Sequence, residues 1–315
     1  MAHTVFIDGE AGTTGLQIRA RLEGRADIEL LSLPPERRKD ASARAEALNA
    51  AGAVILCLPD DAALEAVSLI ENPDVAVIDA STAHRVAPGW AYGFPELRGQ
   101  REAVRASKRV ANPGCYPTGA VALIRPLVDA ELLPRDWPVT VNAVSGYSGG
   151  GKAMIAEFEQ GEGGGAAPPP YRIYATALGH KHVPEMMRYA GLERPPLFTP
   201  AVGRFAQGMI VEIPLQLWAL PGPPSLAELR QALTDAYAGE RFVEVATAED
   251  VAGTKALEPE GLNGTNRLKL YVFGDEAAGQ ARLVALLDNL GKGASGAAVQ
   301  NLNLVLGLDE AAGLA

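Results

Sequence analysis

Cysteine is scarce in this sequence: Cys57 and Cys115 are the only two in 315 residues. Two thiols exclude a disulfide framework and a cysteine-rich zinc site, and they suit a reducing compartment. Positive charge is short as well. Lys and Arg number 28 against 38 Asp and Glu, a net of −10, which is not the basic footprint of a general nucleic-acid binder. An anionic ligand must therefore meet a local positive site. No stretch reaches the roughly eighteen consecutive apolar residues of a membrane span, and MAHTVFIDG enters its first apolar run without a basic leader. The expectation is a soluble, cytoplasmic chain with neither membrane nor nucleic acid as partner. At roughly 150 residues per domain the length predicts about two domains, burying about three quarters of the unfolded chain's surface without staples.

Short apolar runs at residues 4–8, 28–33, 53–58 and 75–79 alternate with helical patterns at 16–22, 41–49 and 62–70. Short apolar strands separated by helices imply a parallel sheet buried on both faces, with right-handed crossovers. This predicts a doubly wound α/β domain over residues 1–115. A helix is predicted over 116–131. The later runs at 139–144, 197–202, 209–217, 267–273 and 280–287 alternate more and predict antiparallel strands, hence an α+β domain over 116–288. Its apolar strands suit a homodimer or tetramer interface. The GEGGGAAPPP segment at 161–170 predicts a loop, because glycine adds backbone entropy and proline removes donors. Residues 289–315, with a helix over 296–306, are expected to return to the first domain.

Directly after the first strand, Gly9, Gly12 and Gly15 form a G-x-x-G-x-x-G turn that opens a helix. Such glycines permit close backbone approach to a pyrophosphate at the positive helix end, where Thr13 and Thr14 add hydroxyls. The second strand ends at Ser32, without the acidic residue that usually holds the ribose hydroxyls of NAD, and Arg37, Arg38 and Lys39 follow it. The pattern predicts NADP, with Ser32, Arg37 and Arg38 around a 2′-phosphate. Ser81 and Arg85 follow the strand at 75–79, where open α/β sheets place ligands. Arg85 is a candidate fork for a phosphate or carboxylate.

Cys115, in NPGCYPTG, sits at the expected domain junction and at a helix N-terminus, which favours the nucleophilic thiolate. Cys57, inside VILCL, reads as inert packing. His180 and His182 fall in GHKHVPE. Two histidines without a thiolate or carboxylate cluster do not complete a zinc site, so no metal is expected. One of them in the site as acid/base and the other in support fits a cysteine nucleophile better. His3 and His84 are taken as structural or peripheral. Residues 146–153 match the G-x-x-x-x-G-K core of a phosphate loop, but Ala153 stands where a Mg²⁺-binding Ser or Thr belongs. Ser145, Ser148 and Lys152 remain candidates for binding an anionic substrate, and Asn112 for the oxyanion.

The segments FIDGEAGTTGLQIRARL, LCLPDDAA, VIDASTAHRV, YGFPEL, NPGCYPTGA, SGYSGGGK, GHKHVPE and NLGKGASGAAVQNLNL, spanning residues 5 to 306, resemble the N-acetyl-gamma-glutamyl-phosphate reductases of arginine biosynthesis, in their shorter type 2 form. The resemblance implies a Rossmann domain joined to an α+β catalytic domain of the glyceraldehyde-phosphate/aspartate-semialdehyde dehydrogenase type. It implies NADPH as cofactor, Cys115 as nucleophile forming a thioester, and a histidine of GHKH as acid/base, His180 ahead of His182. Asn289 is implied as a contact of the nicotinamide amide. The implied reaction is reduction of N-acetyl-gamma-glutamyl phosphate to the semialdehyde. A sister acyl-phosphate reductase acting on aspartyl or carrier-linked amino-adipyl phosphate, and a non-catalytic NADP-binding sensor, are the alternatives.

Overall fold

The computed structural model describes residues 2–160 and 168–315. The chain divides into two compact units, one running to Gly114 and including Ala294–Ala315, the other Cys115–Gly293. The crossings thus put Cys115 and residues 289–293 in the second unit, a few positions from the expected boundaries.

The first unit runs β1 (His3–Asp8), α1 (Thr13–Leu22), β2 (Ile28–Leu31), α2 (Ala41–Ala50), β3 (Ala53–Leu56), α3 (Asp60–Ser68), β4 (Ala76–Asp79), β5 (Ala91–Tyr92), α4 (Gln100–Ala106) and β6 (Arg109–Ala111). Its six strands lie in the order β2-β1-β3-β4-β6-β5, and every pair is parallel. Alternation divides the apolar residues between two faces. Val5, Ile7, Ile55 and Ile78 pack with Ile18 and Leu22 of α1, while Phe6, Val54, Leu56 and Val77 pack with Leu48 of α2 and Ala63 and Ala66 of α3. Both faces are covered, which is the doubly wound arrangement. Because strand order reverses beside β1, the ligand crevice of such a sheet lies outside the carboxyl ends of β1 and β3.

The second unit begins with α5 (Cys115–Asp129) and continues through β7 (Thr140–Gly146), α6 (Gly151–Gln160), β8 (Tyr171–Ile173), α7 (Val183–Ala190), β9 (Leu197–Gly203), β10 (Met209–Gln216), α8 (Leu226–Ala236), β11 (Val243–Val245), α9 (Ala248–Gly253), β12 (Leu268–Asp275) and β13 (Gln280–Leu287). Its seven strands are ordered β11-β12-β13-β10-β7-β9-β8. The expectation of antiparallel strands is corrected for β7 and β9, and β11 lies outside the expected runs. β7 runs parallel to β9 and β11 parallel to β12, because the chain between the members of each pair is long enough for a crossover. Alternation along a half-covered strand looks the same in either direction. Most of the expected loop at 161–170 lies outside the described residues.

α5 is buried almost all round, as its apolar composition demands. It lies close against the sheet at Gly119, where a Cβ would lie 2.8 Å from Val211 Cγ2. The glycine of NPGCYPTGA is thus a packing requirement between helix and sheet. A π-helical turn, Gly291–Ser295, leads into α10 (Gly296–Val305), which belongs to the first unit. There Ala298, Val299 and Leu302 join the α1 side of the core. Its buried amide nitrogens are satisfied: Asn301 Nδ2 donates to Gly93 O and to Asn112 Oδ1, and Gln300 Nε2 donates to Glu96 Oε1, while Asn301 Oδ1 is buried without a hydrogen bond.

Candidate active site

In the first unit the glycine turn is built by steric necessity. Gly9 has φ +88°, and a Cβ there would lie 2.3 Å from the Cys57 carbonyl oxygen; a Cβ on Gly15 would lie 2.5 Å from Gly9 O. The Gly12 amide closes the turn onto Gly9 O at 2.9 Å. Gly12 is the N-cap of α1, and no side chain caps the helix, so Thr13 and Thr14 open it with backbone donors facing outward rather than onto a capping oxygen. Below the turn, Asp8 Oδ2 accepts from Arg44 Nε and Nη2 at 3.1 and 2.9 Å, and Arg44 Nη1 donates to Glu65. Burial pushes the Asp8 carboxyl above the usual carboxylate range, against the opposing pull of Arg44.

The basic residues after β2 are not disposed alike. Arg38 reaches back to Glu10 in the glycine turn, 2.6 Å away, and Ser32 Oγ donates to the same carboxylate at 3.2 Å. Arg37 is half exposed and pairs with Asp40 at 3.7 Å. At the end of β4, the Ser81 amide and hydroxyl both donate to Asp79 at 2.8 Å. His84 Nδ1 lies 2.6 Å from Asp79 Oδ2, and its ring stacks on Trp90. Arg85 is buried, with Nε and Nη2 donating to the carbonyls of Asn112 and Ala80 at 3.0 and 3.1 Å. Asn112 in turn donates from Nδ2 to Ala294 O. Ser81, Arg85 and Asn112 are therefore engaged in holding the ends of β4 and β6, and two donors of the Arg85 fork are spent on backbone.

In the second unit Cys115 is half-buried and opens α5. It is packed closely: a Cβ on Gly293 would lie 2.9 Å from the Cys115 Cβ. Its neighbour Tyr116 is buried, and the Tyr116 hydroxyl donates to Ala201 O at 3.2 Å and accepts from the Tyr174 hydroxyl at 2.9 Å. Burial and the nearby Tyr174 and Cys115 push Tyr116 well above the ordinary tyrosine range. Burial, with the Cys115 charge adding, pushes Tyr174 up to about 12 against the lowering hydrogen bond to Tyr116. Both phenols stay protonated at any working pH and act as hydrogen-bonding groups.

Both histidines of GHKH are on this aromatic wall. The His180 ring lies 6.0 Å from that of Tyr116, 5.8 Å from Tyr174 and 4.7 Å from His182, and the His182 ring lies 5.8 Å from Tyr116. The pair meets without an extended backbone, because Leu178 at φ +60° and a turn fold the segment before α7. The His182 amide donates to His180 Nδ1 at 3.1 Å, which assigns the proton of the neutral His180 ring to Nε2.

Ser145 ends this wall: it is buried, donates to Gly146 O, and hydrogen-bonds the Tyr116 hydroxyl. Ser148 accepts from Asn289 Nδ2 at 3.1 Å, while Asn289 Oδ1 accepts the Gly208 amide at 2.7 Å. Asn289 thereby uses both ends of its amide within the second unit. Lys152, on the first turn of α6, is exposed. Cys57, by contrast, is pushed up to about 12 by burial and by Asp79 and Asp8. Tyr174 and Glu10 were not foreseen. A tyrosine six residues before His180 carries no motif of its own, whereas a carboxylate inside a glycine turn was a visible anomaly. Among the described residues no group of three or more His, Cys, Asp or Glu is placed to hold a metal, and no helix is long and apolar enough to cross a membrane.

Residues 34–107 match the family model described as semialdehyde dehydrogenase, NAD binding domain, and residues 115–289 match semialdehyde dehydrogenase, dimerisation domain. Among curated relatives, N-acetyl-gamma-glutamyl-phosphate reductase of a Chelativorans species is 59% identical over 309 residues, covering 97% of this chain and 99% of the relative. The reductase of Brucella anthropi is 57% identical, covering 98% and 99%, and N-acetyl-gamma-glutamyl-phosphate reductase 2 of a Nostoc species is 55% identical, covering 98% of each. Among solved structures, aspartate semialdehyde dehydrogenase II of Vibrio cholerae superposes with a TM-score of 0.69 at 16% identity, covering 97% of this chain and 98% of its own. The enzyme of Candida albicans, solved with NADP, superposes at 0.64 and 14%, covering 97% and 99%. Those two likenesses establish a shared α/β fold, and the relatives at 55–59% identity over nearly the full length establish that this chain belongs to the N-acetyl-gamma-glutamyl-phosphate reductase family.

Proposed function

We propose that this chain reduces N-acetyl-gamma-glutamyl phosphate to N-acetylglutamate semialdehyde and phosphate, as a step of arginine biosynthesis, with Cys115 as the nucleophile. The observation that carries the reading is the half-buried cysteine at the start of α5 beside Tyr116, whose ring is met edge-on by His180 and at a tilt by His182. The Cys115 thiolate attacks the acyl carbon; the C–S bond forms as the C–O bond to phosphate breaks, leaving a thioester. A bound nicotinamide cofactor supplies the hydride that reduces it. A thioester is chosen over an ester because its carbonyl is less resonance-stabilised. His180 donates a hydrogen bond from Nε2 to the carbonyl oxygen as negative charge builds there and keeps that proton as the thiohemiacetal oxyanion collapses to the aldehyde. The C–S electron pair then returns to Cys115 Sγ. His182 supports His180 through its backbone amide.

The glycine turn fits a dinucleotide on the structure's own terms: at Gly9 and Gly15 any side chain would strike backbone, and α1 has no capping side chain. Gly9, Gly12, Gly15, Thr13 and Thr14 would hold the pyrophosphate. Ser32 and Arg38 favour NADP, with Arg37 at the rim. Ser81, Arg85, Asn112 and Asn289 act as positioning residues, their polar groups being spent on neighbouring backbone and side chains. Ser145, Ser148 and Lys152 are assigned to the substrate end. The match to a dimerisation domain supports a homo-oligomer, a dimer or a tetramer, and the compartment assigned to it is the cytoplasm.

The test is an assay of NADP- and phosphate-dependent oxidation across three semialdehydes, N-acetylglutamate, aspartate and carrier-linked amino-adipate. Preference for the first and its loss in Cys115→Ser, with NADP binding retained, is the expected result. Preference for either of the others reassigns the substrate, and normal turnover in the variant removes the covalent route.

A further inference from the structure

Ser32 and Arg38, the residues that speak for NADP, both already answer to one carboxylate. Glu10, the residue after Gly9, is 8% exposed. Its Oε2 accepts from Arg19 Nη1 at 2.7 Å and from Ser32 Oγ at 3.2 Å. Its Oε1 takes no aligned hydrogen bond and is held by charge, 2.6 Å from Arg38 Nη2. Arg19 donates to Ser32 Oγ as well, at 2.9 Å. Four side chains from the turn, α1, the end of β2 and the segment beyond it thus converge on one point, whereas Arg37 turns away to Asp40.

Resting on the NADP reading above, we propose that Glu10 is a specificity-determining residue that competes with the 2′-phosphate of the cofactor for Arg19, Arg38 and Ser32. Two guanidinium groups and one carboxylate leave the cluster with one positive charge. A phosphate monoester brings about two negative charges, and the first partner it must displace is a carboxylate of like sign. A dinucleotide without the 2′-phosphate meets no such rival, because its free ribose hydroxyl donates to a carboxylate, the role an acidic residue at the end of the second strand usually fills. Glu10 therefore narrows the preference that Arg38 and Ser32 create. It also keeps the two arginines gathered while no phosphate is present. Glu10→Gln removes the charge and keeps the shape.

The experiment is calorimetric titration of the full-length protein with 2′,5′-ADP and, separately, with 5′-ADP, for wild type, Glu10→Gln and Arg38→Ala. Binding is read without nicotinamide, acyl substrate or turnover. Glu10→Gln is expected to tighten 2′,5′-ADP about tenfold and to leave 5′-ADP unchanged or weaker. Arg38→Ala is expected to weaken 2′,5′-ADP about tenfold with 5′-ADP unchanged. Binding of 5′-ADP reports that each variant is folded; if Glu10→Gln fails to bind it, Glu10→Ala is read by the same ratio. Weaker 2′,5′-ADP binding in Glu10→Gln would make the carboxylate an organiser rather than a rival and overturn the proposal. An unchanged ratio in Glu10→Gln with a lowered one in Arg38→Ala overturns it while leaving the NADP reading standing. Ratios unchanged in both variants overturn the two together.

Discussion

The Tyr174 hydroxyl donates a 2.9 Å hydrogen bond to the hydroxyl of Tyr116, the residue next to Cys115 in the chain. The bond ties the segment that leads into GHKH to the first turn of α5, and the His180 ring stands edge-on to both phenols. Removing the donor with Tyr174→Phe keeps the ring and frees the segment. Tyr116 retains its bond to Ala201 O, so the fold should lose only about 1 kcal/mol. We expect kcat to fall roughly three- to tenfold while the rate of Cys115 alkylation changes little, the mark of a misplaced proton carrier rather than a damaged nucleophile. Unchanged kcat would detach Tyr174 from the site.

The two cysteines should differ sharply toward a thiol reagent. Cys57 is pushed up to about 12, which leaves it neutral at the pH of labelling; only roughly one molecule in ten thousand carries the thiolate at about pH 8. Iodoacetamide at that pH should add one group per folded chain, at Cys115, and none to Cys115→Ser. Labelling of Cys57 should appear only as the pH rises toward 12 or the chain unfolds. Two groups per folded chain at pH 8 would contradict this.

Gly293 is required by contact, since its Cβ would fall 2.9 Å from that of Cys115. Gly293→Ala must push the nucleophile or the π-helical turn aside. A shift of that order costs up to about 100-fold in rate when it misplaces a reacting group. We expect kcat/KM to fall by about that factor with only a small change in melting temperature. A large loss of stability with near-normal turnover of the folded fraction would assign the glycine to packing alone.

Arg44→Met strips the buried Asp8 of its two-pronged partner. Breaking such a pair costs about 3–5 kcal/mol. Burial already raises the Asp8 pKa, and without Arg44 it rises further. A carboxyl raised in the folded state destabilises it progressively as pH climbs from the unfolded pKa through the folded one, so the loss should be greater at neutral than at mildly acid pH. Urea denaturation of wild type and variant at both pH values checks the sign, and a loss that grows as the pH falls would contradict it.

The first unit was largely legible because parallel strands buried on both faces read as continuous apolar runs, and the runs at 4–8, 53–58 and 75–79 appear as β1, β3 and β4. Strand direction in the second unit was not legible: alternation reports a face, and the β7–β9 pairing depends on a crossover that alternation does not encode. At the site, the steric roles of Gly9 and Gly15 and the place of Cys57 beside a buried strand follow from local sequence. The destinations of Arg85, Asn112 and Asn289 do not. A buried guanidinium or amide bonds whatever tertiary packing brings to it, and here that is the carbonyls of Ala80 and Asn112, Ala294 O, Ser148 and the Gly208 amide.

The central claim is a covalent bond between Cys115 and the acyl group. Mass spectrometry of the enzyme, quenched after mixing with N-acetyl-gamma-glutamyl phosphate in the absence of NADPH, tests it most directly. The account predicts one N-acetylglutamyl group per chain, on the peptide carrying Cys115 and absent from Cys115→Ser; a wild-type enzyme that turns over normally yet never carries that mass would contradict it.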